Sequence, residues 1–239
     1  TENTTNYWGI GMSFYDFNQD GWDDLSYVTQ NDTVLFYKND NGNFTKINLG
    51  IYSPGLMKTL LWVDFDNDDD LDLFATYFDL GIRMYQNDGA FNFTDVTAQI
   101  GLSMDPMQSY GASFGDYNND GFLDILNNNI IRYAIPNGNN WFKVILQGIQ
   151  SNTNGIGARI EIYGAFGKQI RDIRSGEGFR YMSSLNAHFG IGLNTEITQV
   201  IIRWPSGLVD TINNPAINQR LNVVEGGTLA VSEYTNSNF

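Results

Sequence analysis

Cysteine is absent from the 239 residues, which excludes a disulfide framework, a thiolate metal site and a cysteine nucleophile and leaves the redox compartment open. No apolar run approaches the roughly eighteen residues of a membrane span, so no spanning helix is expected. Residues 1–6 are too polar and too poor in positive charge to be a signal peptide, so a secreted form would have lost its leader already. Basic residues are scarce where acids crowd: residues 1–138 hold 20 acids and 5 bases, residues 139–239 hold 7 acids and 8 bases. A polyanion would meet no basic stripe on the first part, which argues against a nucleic-acid partner. What is present is a foldable composition, 42% hydrophobic and 14% aromatic, enough for one large or two small domains.

The acidity is concentrated in a nine-residue loop that occurs three times, at 16–24, 64–72 and 116–124, each reading D-x-[DN]-x-D-[GD]-x-x-D. Side-chain oxygens at positions 1, 3, 5 and 9, with the position-7 carbonyl, would surround one hard cation. Calcium is expected, because it accepts six to eight oxygens in a forgiving geometry where magnesium demands an octahedron. Short apolar runs flank each loop, at 12–15 and 25–28, 60–63 and 73–76, and 112–114 and 125–126, so the context is strand, loop, strand. An EF-hand needs flanking helices and a position-12 Glu, and position 12 is Tyr27, Ala75 and Asn127. The loop starts are 48 and then 52 residues apart, and the pattern Tyr37-x-Asn39 through Gly42 to Phe44-Thr45 is echoed by Tyr85-x-Asn87 through Gly89 to Phe93-Thr94. One supersecondary unit per repeat predicts a propeller or a stacked array. A polar hairpin turn explains one such loop but not three in phase. A catalytic acid and base need unlike environments, and these carboxylates recur in like ones. Loop two, with Asp69 and Asp70 besides its four ligand-position acids, is expected to depend most on the ion. Asp69 stands where glycine adopts positive φ more readily.

The loops, their G-x-S-F lead-ins and the Y-x-N segments resemble the FG-GAP (VCBS) repeats of integrin α-chain propellers and bacterial surface proteins, each repeat a four-stranded blade with its calcium loop between the first two strands. Residue by residue, the resemblance implies as ligands Asp16, Asn18, Asp20, the Trp22 carbonyl and Asp24; Asp64, Asp66, Asp68, the Asp70 carbonyl and Asp72; and Asp116, Asn118, Asp120, the Phe122 carbonyl and Asp124. It thereby implies up to three calcium ions. Three blades are fewer than the four to eight that close a propeller, and the third repeat is short. Either the propeller is open and capped by the second half of the chain, or further residues complete it.

From residue 139 the acids thin out and new strand signals appear at 141–146, 157–163, 168–173, 200–204, 208–212 and 221–225, with no helical periodicity. These predict a small antiparallel β-sandwich or barrel-like domain over 139–239. Asn140-Trp141-Phe142, Gly148 to Asn152, Gly155 to Ile160, Gly176 to Phe179, His188 to Gly192 and Arg203 to Gly207 resemble the ASPIC/UnbV domain, which follows FG-GAP repeats in its family. The expected fold is therefore all-β: a partial propeller over 1–138, then this domain. The resemblance implies an extracellular, calcium-binding protein and brings no catalytic activity.

His188 lies four residues from Ser184, with Asp172 and Glu177 nearby, but the serine lacks a nucleophile elbow, and a packed histidine with one hydrogen bond is the reading preferred. Arg159, Arg171, Arg174, Arg180 and Arg203 could dock onto the acidic repeats, grip an anionic sugar, or form a solvated face. Residues 204–207, Trp-Pro-Ser-Gly, read as a turn, and the sequons at Asn3, Asn31, Asn43 and Asn92 are expected by chance in so Asn-rich a chain. The functional expectation is a non-enzymatic, secreted or cell-surface protein of bacterial character, in which calcium rigidifies a surface for a carbohydrate or protein partner. Two other readings stay open. One is a calcium-dependent polysaccharide-active enzyme using aromatics such as Trp22, Tyr77 and Tyr110; the other is a segment of a larger assembly, its repeat array completed by another chain.

Overall fold

A computed structural model describes residues 9–29, 34–51, 55–102, 108–176 and 181–227. Among them every regular element is a strand, arranged in five small sheets. The first blade is β1 (Gly9–Tyr15), β2 (Asp24–Thr29), β3 (Val34–Asp40) and β4 (Asn43–Ile47). The second is β5 (Met57–Val63), β6 (Asp72–Tyr77), β7 (Gly81–Asn87) and β8 (Phe93–Asp95), and the third has three strands, β9 (Ala112–Gly115), β10 (Asp124–Asn127) and β11 (Ile130–Arg132). Each is an antiparallel meander, and each acidic loop joins its first two strands, as the FG-GAP resemblance implies.

The blades stack face to face. Phe17, Val28 and Phe36 of the first pack against Leu60, Trp62, Leu73 and Tyr77 of the second, with the Phe17 and Trp62 rings stacked at 4.7 Å. The opposite face of the second blade, through Leu61, Phe74 and Met84, meets Ala112, Phe114 and Ile125 of the third. Being covered on both faces explains why β5 and β6 read as near-continuous apolar runs, whereas β9 alternates buried and half-buried residues. The array is thus a partial propeller of three blades.

The remaining strands are β12 (Asn140–Gln147), β13 (Arg159–Gly164), β14 (Gly167–Asp172), β15 (Ala187–Gly192), β16 (Gln199–Arg203), β17 (Val209–Asn213) and β18 (Arg220–Val224). They form two sheets, ordered β15-β12-β18 and β14-β13-β16-β17. Alternate residues such as Phe142 and Val144, Ile160 and Ile162, Val200 and Ile202, and Leu221 and Val223 fill one core between them. The antiparallel expectation meets one departure: β18 returns across the sandwich to pair in parallel with β12. Gln169 Nε2 donates to the Gly190 carbonyl and Arg171 Nε to the His188 carbonyl, so side chains bridge β14 to β15 and give the sandwich a barrel-like edge. Residues 205–207 do form a turn, but Trp204 is buried in the core and donates to Asp210. The Glu225 carboxylate accepts the backbone N–H groups of Ile149, Gln150 and Ser151 and the hydroxyls of Ser151 and Ser206. Desolvation would raise its pKa, but these bonds outweigh it and hold it down at about 2.

Candidate metal centres

The three loops follow one backbone path. Position 4 is left-handed in each, with φ of 58° at Gln19, 59° at Asn67 and 58° at Asn119, and position 6 has φ of 106° at Gly21, 84° at Asp69 and 88° at Gly121. Asp69 does adopt the conformation that glycine takes elsewhere. Asx-type bonds shape the turn: the position-5 N–H donates to Asn18 Oδ1 and Asn118 Oδ1 in the outer loops, and the position-7 N–H donates to Asp20, Asp68 and Asp120 Oδ1.

Position 9 has a structural role that the sequence reading did not assign. One oxygen of Asp24, Asp72 and Asp124 accepts the N–H of position 2, and the other accepts an N–H from beyond the second strand, at Asn39, Asn87 and Ala134. The echoed Y-x-N segments now have a reason. Asn39 and Asn87 also donate their side-chain amides to the Asp23 and Leu71 carbonyls, tying the third strand to the loop.

In loop two, Asp64, Asp66 and Asp72 bring carboxylate oxygens within 4.8 Å of one another, a trio of acidic groups with the spacing to hold one ion. Asp66 Oδ1 and Asp70 Oδ1 are buried without a hydrogen-bond partner, as is Asp116 Oδ1 in loop three. Such oxygens in a carboxylate cluster have the chemistry of a hard-cation site. Burial raises Asp64 and Asp72 well above the ordinary carboxylate range, Asp70 to about 7 and Asp68 and Asp69 to about 6, with mutual repulsion adding to it. Asp66 is also raised by burial. In loop one burial raises Asp16, and Asp24 to about 7; in loop three it raises Asp124. Asp68 accepts the Asp70 N–H and lies outside the closest trio, and the side-chain carboxyls of loops one and three do not gather as tightly. The shifts share one direction and one cause, which gives no acid and base pair.

Loop-to-loop bonds follow a rule that sequence reasoning missed. The position-4 amide of one loop donates to the position-6 carbonyl of the next, Gln19 Nε2 to Asp69 at 3.0 Å and Asn67 Nδ2 to Gly121 at 2.8 Å. An amide side chain at position 4 in all three loops was the available signal.

The second half of the chain meets every loop. At loop one, Arg159 donates to the Gly21 carbonyl and pairs with Asp23, and Arg174 pairs with Asp23 and Asp172. At loop two, His188 Nε2 lies 2.8 Å from Asn67 Oδ1, the Gly190 N–H reaches Asp64 Oδ2 and the Gly192 N–H reaches the Asn67 carbonyl. Only glycine fits at 190, because a Cβ there would lie 2.2 Å from Asn67 Cα. At loop three, Lys143 pairs with Asp116, and the Trp141 indole covers Gly121. Asn137 and Asn139, in the connecting segment, donate to the Asp66 carbonyl.

Arg159 and Arg174 therefore dock onto the acidic repeats, while Arg171 is buried with its Nε on the His188 carbonyl and Arg203 pairs with Glu161. Arg180 and Glu177, like Asn3 and Asn31, lie outside the described residues. The imagined triad does not assemble. Asp172 is held by two arginines, Ser184 Oγ accepts the Asn186 N–H, and the one hydrogen bond of the His188 ring goes to Asn67. Burial, with Lys143 and Arg171 nearby, depresses His188 to about 3, so it is a packed neutral imidazole. Ser184 and His188 line one cavity of about 80 Å³. Of the aromatics, Trp22 and Tyr110 are exposed, but Tyr77 is buried in the interblade core with its hydroxyl on Tyr85, which removes it from any surface groove. No helix among the described residues is long and apolar enough to cross a membrane.

Comparison with known proteins matches this architecture. Residues 16–75 and 64–126 match the FG-GAP-like repeat, and residues 148–230 match a domain described as ASPIC and UnbV. The chain is 27% identical over 225 residues to Cartilage acidic protein 1 of Xenopus tropicalis, covering 85% of this chain and 34% of that protein. It is 26% identical over 226 residues to Cartilage acidic protein 1 of Homo sapiens, covering 83% and 33%. The chain thus spans about a third of the length of the curated relatives it matches.

Proposed function

We propose that this chain, FG-GAP-like repeats followed by an ASPIC and UnbV domain, is a non-enzymatic, secreted or cell-surface calcium-binding protein whose ions rigidify a surface for a carbohydrate or protein partner. The observation that carries the reading is loop two: three clustered carboxylates, with buried, unpaired Asp66 Oδ1 and Asp70 Oδ1 beside them. Asp64, Asp66, Asp68 and Asp72 would hold the ion there, with the Asp70 carbonyl. The matching positions would do so at Asp16, Asn18, Asp20, Trp22 and Asp24, and at Asp116, Asn118, Asp120, Phe122 and Asp124. Bound calcium supplies the positive charge that these desolvated carboxylates lack. Neither matched family description names a catalytic activity, and the side chains of the imagined triad are engaged in structural bonds.

Thermal melting tests the ion. Calcium should raise the melting temperature of the chelated chain and magnesium should do so poorly; Asp20→Ala and Asp68→Ala should each lose part of the gain, Asp68→Ala more. Variants as thermostable in calcium as the parent would sink the metal claim. For the partner, Trp22, exposed within loop one, favours a carbohydrate. Binding on a glycan array without turnover supports that, and cleavage of a bound glycan would turn the reading to a polysaccharide-active enzyme.

A further inference from the structure

The sequence holds three Asn-Gly steps, at 41–42, 137–138 and 154–155, and all three lie among the described residues. A glycine nitrogen, with no side chain beside it, can approach the amide carbon of a preceding asparagine closely enough to attack it. That attack needs a glycine N–H free to give up its proton. The Gly42 N–H is committed to Asn39 Oδ1 at 2.8 Å, and the Gly155 N–H to the Asn152 carbonyl at 2.9 Å. The Gly138 N–H has no acceptor among the described residues, and Asn137 and Gly138 are both exposed. The Asn137 amide is also held ready. The Asn139 N–H donates to Asn137 Oδ1 at 2.9 Å, which polarises that carbonyl and would stabilise the oxyanion formed on addition to Cγ. Asn137 Nδ2 donates to the Asp66 carbonyl at 2.6 Å, the shorter of the two straps that the connecting segment places on loop two.

We propose that Asn137 is a self-modification site, and that its deamidation releases loop two from that strap. The Gly138 nitrogen loses its proton to solvent hydroxide and bonds to Asn137 Cγ. The Cγ–Nδ2 bond breaks, Nδ2 takes a proton from water and leaves as ammonia, and a five-membered succinimide remains. Water then adds to one of the two ring carbonyls and the ring nitrogen takes back a proton. The net change is one water consumed and one ammonia released, with no oxidant or reductant. Opening at one carbonyl gives aspartate at 137; opening at the other routes the backbone through Cβ and Cγ as an isoaspartyl linkage. In the aspartate form a carboxylate oxygen stands where Nδ2 donated, acceptor against acceptor at the Asp66 carbonyl, and a negative charge is added beside the most acidic loop. The isoaspartyl form lengthens the connection between β11 and β12 by one backbone carbon. Either way the Asn139 amide is left to hold the Asp66 carbonyl. Loop two also carries the contacts to His188, Gly190 and Gly192, so the change acts where the two halves meet. The proposal does not depend on calcium occupancy.

The test incubates the full chain in warm, mildly alkaline buffer and follows each Asn-Gly peptide by proteolytic mass mapping. The Asn137 peptide should convert about threefold or more faster than the Asn41 and Asn154 peptides, whose glycine N–H groups must first break a hydrogen bond. In urea, where those bonds are gone, the three should convert at similar rates. A folded-chain rate at Asn137 that does not exceed both of the others overturns the proposal. The same ratio in urea overturns it too, because local sequence and not the fold would then set the rate. Asn137→Asp supplies the aspartate product directly. Amide hydrogen exchange across residues 64–72 should quicken by about threefold or more in this variant, and not in Asn41→Asp. Exchange in Asn137→Asp that matches the parent would overturn the release of loop two.

Discussion

Loop two and its two neighbours share a backbone path, yet none of the loop-two residues from 64 to 72 is exposed, whereas loop one exposes Asp20 and Trp22 and loop three exposes Tyr117, Asn118 and Asn119. The difference lies in position within the stack. Loop two is held from one side by Gln19 of loop one, reaches loop three through Asn67, is strapped by Asn137 and Asn139, and is covered by His188, Gly190 and Gly192. All six of its acids are raised by burial, against two in loop one and one in loop three. The same motif thus becomes a different electrostatic object when a neighbour stands on each side. A local sequence pattern sets the backbone path of the loop, and tertiary position sets how strongly burial and mutual repulsion raise its carboxylates.

The comparison can be broken most forcefully at position 9. Asp72→Ala leaves the Phe65 and Asn87 N–H groups without acceptors in the most enclosed loop and should destabilise the chain by about 2–6 kcal/mol in urea titrations, two buried donors at roughly 1–3 kcal/mol each. Asp24→Ala, in the more open loop, should do less; an equal or larger loss would say that stack position does not matter. Next in size, His188→Ala removes a buried ring and the partner of Asn67, at about 2–3 kcal/mol. A double-mutant cycle with Asn67→Ala should show coupling of about 1 kcal/mol, and additive losses would mean that this bond does not hold the halves together.

The pH dependence of the chelated chain is the third way to sharpen the contrast. The loop-two acids have folded pKa values raised above the ordinary 3.8, with Asp68 and Asp69 at about 6 and Asp70 at about 7. The folded chain therefore holds more protons than the unfolded one between pH about 4 and 7, and its stability falls as pH rises through that window. Saturating calcium should reverse the slope, because the ion competes with those protons. A chelated chain that grows more stable over the same window in melting experiments would contradict the assignment. The smallest effect belongs to loop one. Arg159→Ala breaks pairs with Asp23 and Asp172 whose side chains are all partly exposed, and should cost about 0.5–2 kcal/mol. A loss as large as that of His188→Ala would show the two docking contacts to be equivalent.

Much of the fold was legible because its signals are local. The apolar runs beside each loop became β1, β2, β5, β6, β9 and β10, and the alternation after residue 139 became the sandwich core. Strand β4 is almost wholly exposed and carries no burial pattern to read, and β11 comes after two left-handed asparagines, Asn128 and Asn129, that look like loop in sequence. The parallel return of β18 to β12 depends on a connection across the sandwich, which periodicity does not encode. At the site, the acidic loops were legible because nine consecutive residues carry them. The docking was not, because its bonds join residues such as Asn67 and His188 that stand 121 apart. Tyr77 misled for a related reason: an aromatic at the end of a strand reads as surface until the neighbouring blade covers it.

Calorimetric titration of calcium into the chelated chain, set beside the same titration of Asp66→Asn, asks whether loop two holds an ion. Saturable binding is expected, with its tightest site lost in the variant and the weaker sites of the flanking loops retained. Absence of calcium binding by the parent, or a variant that keeps the tightest site, would contradict it.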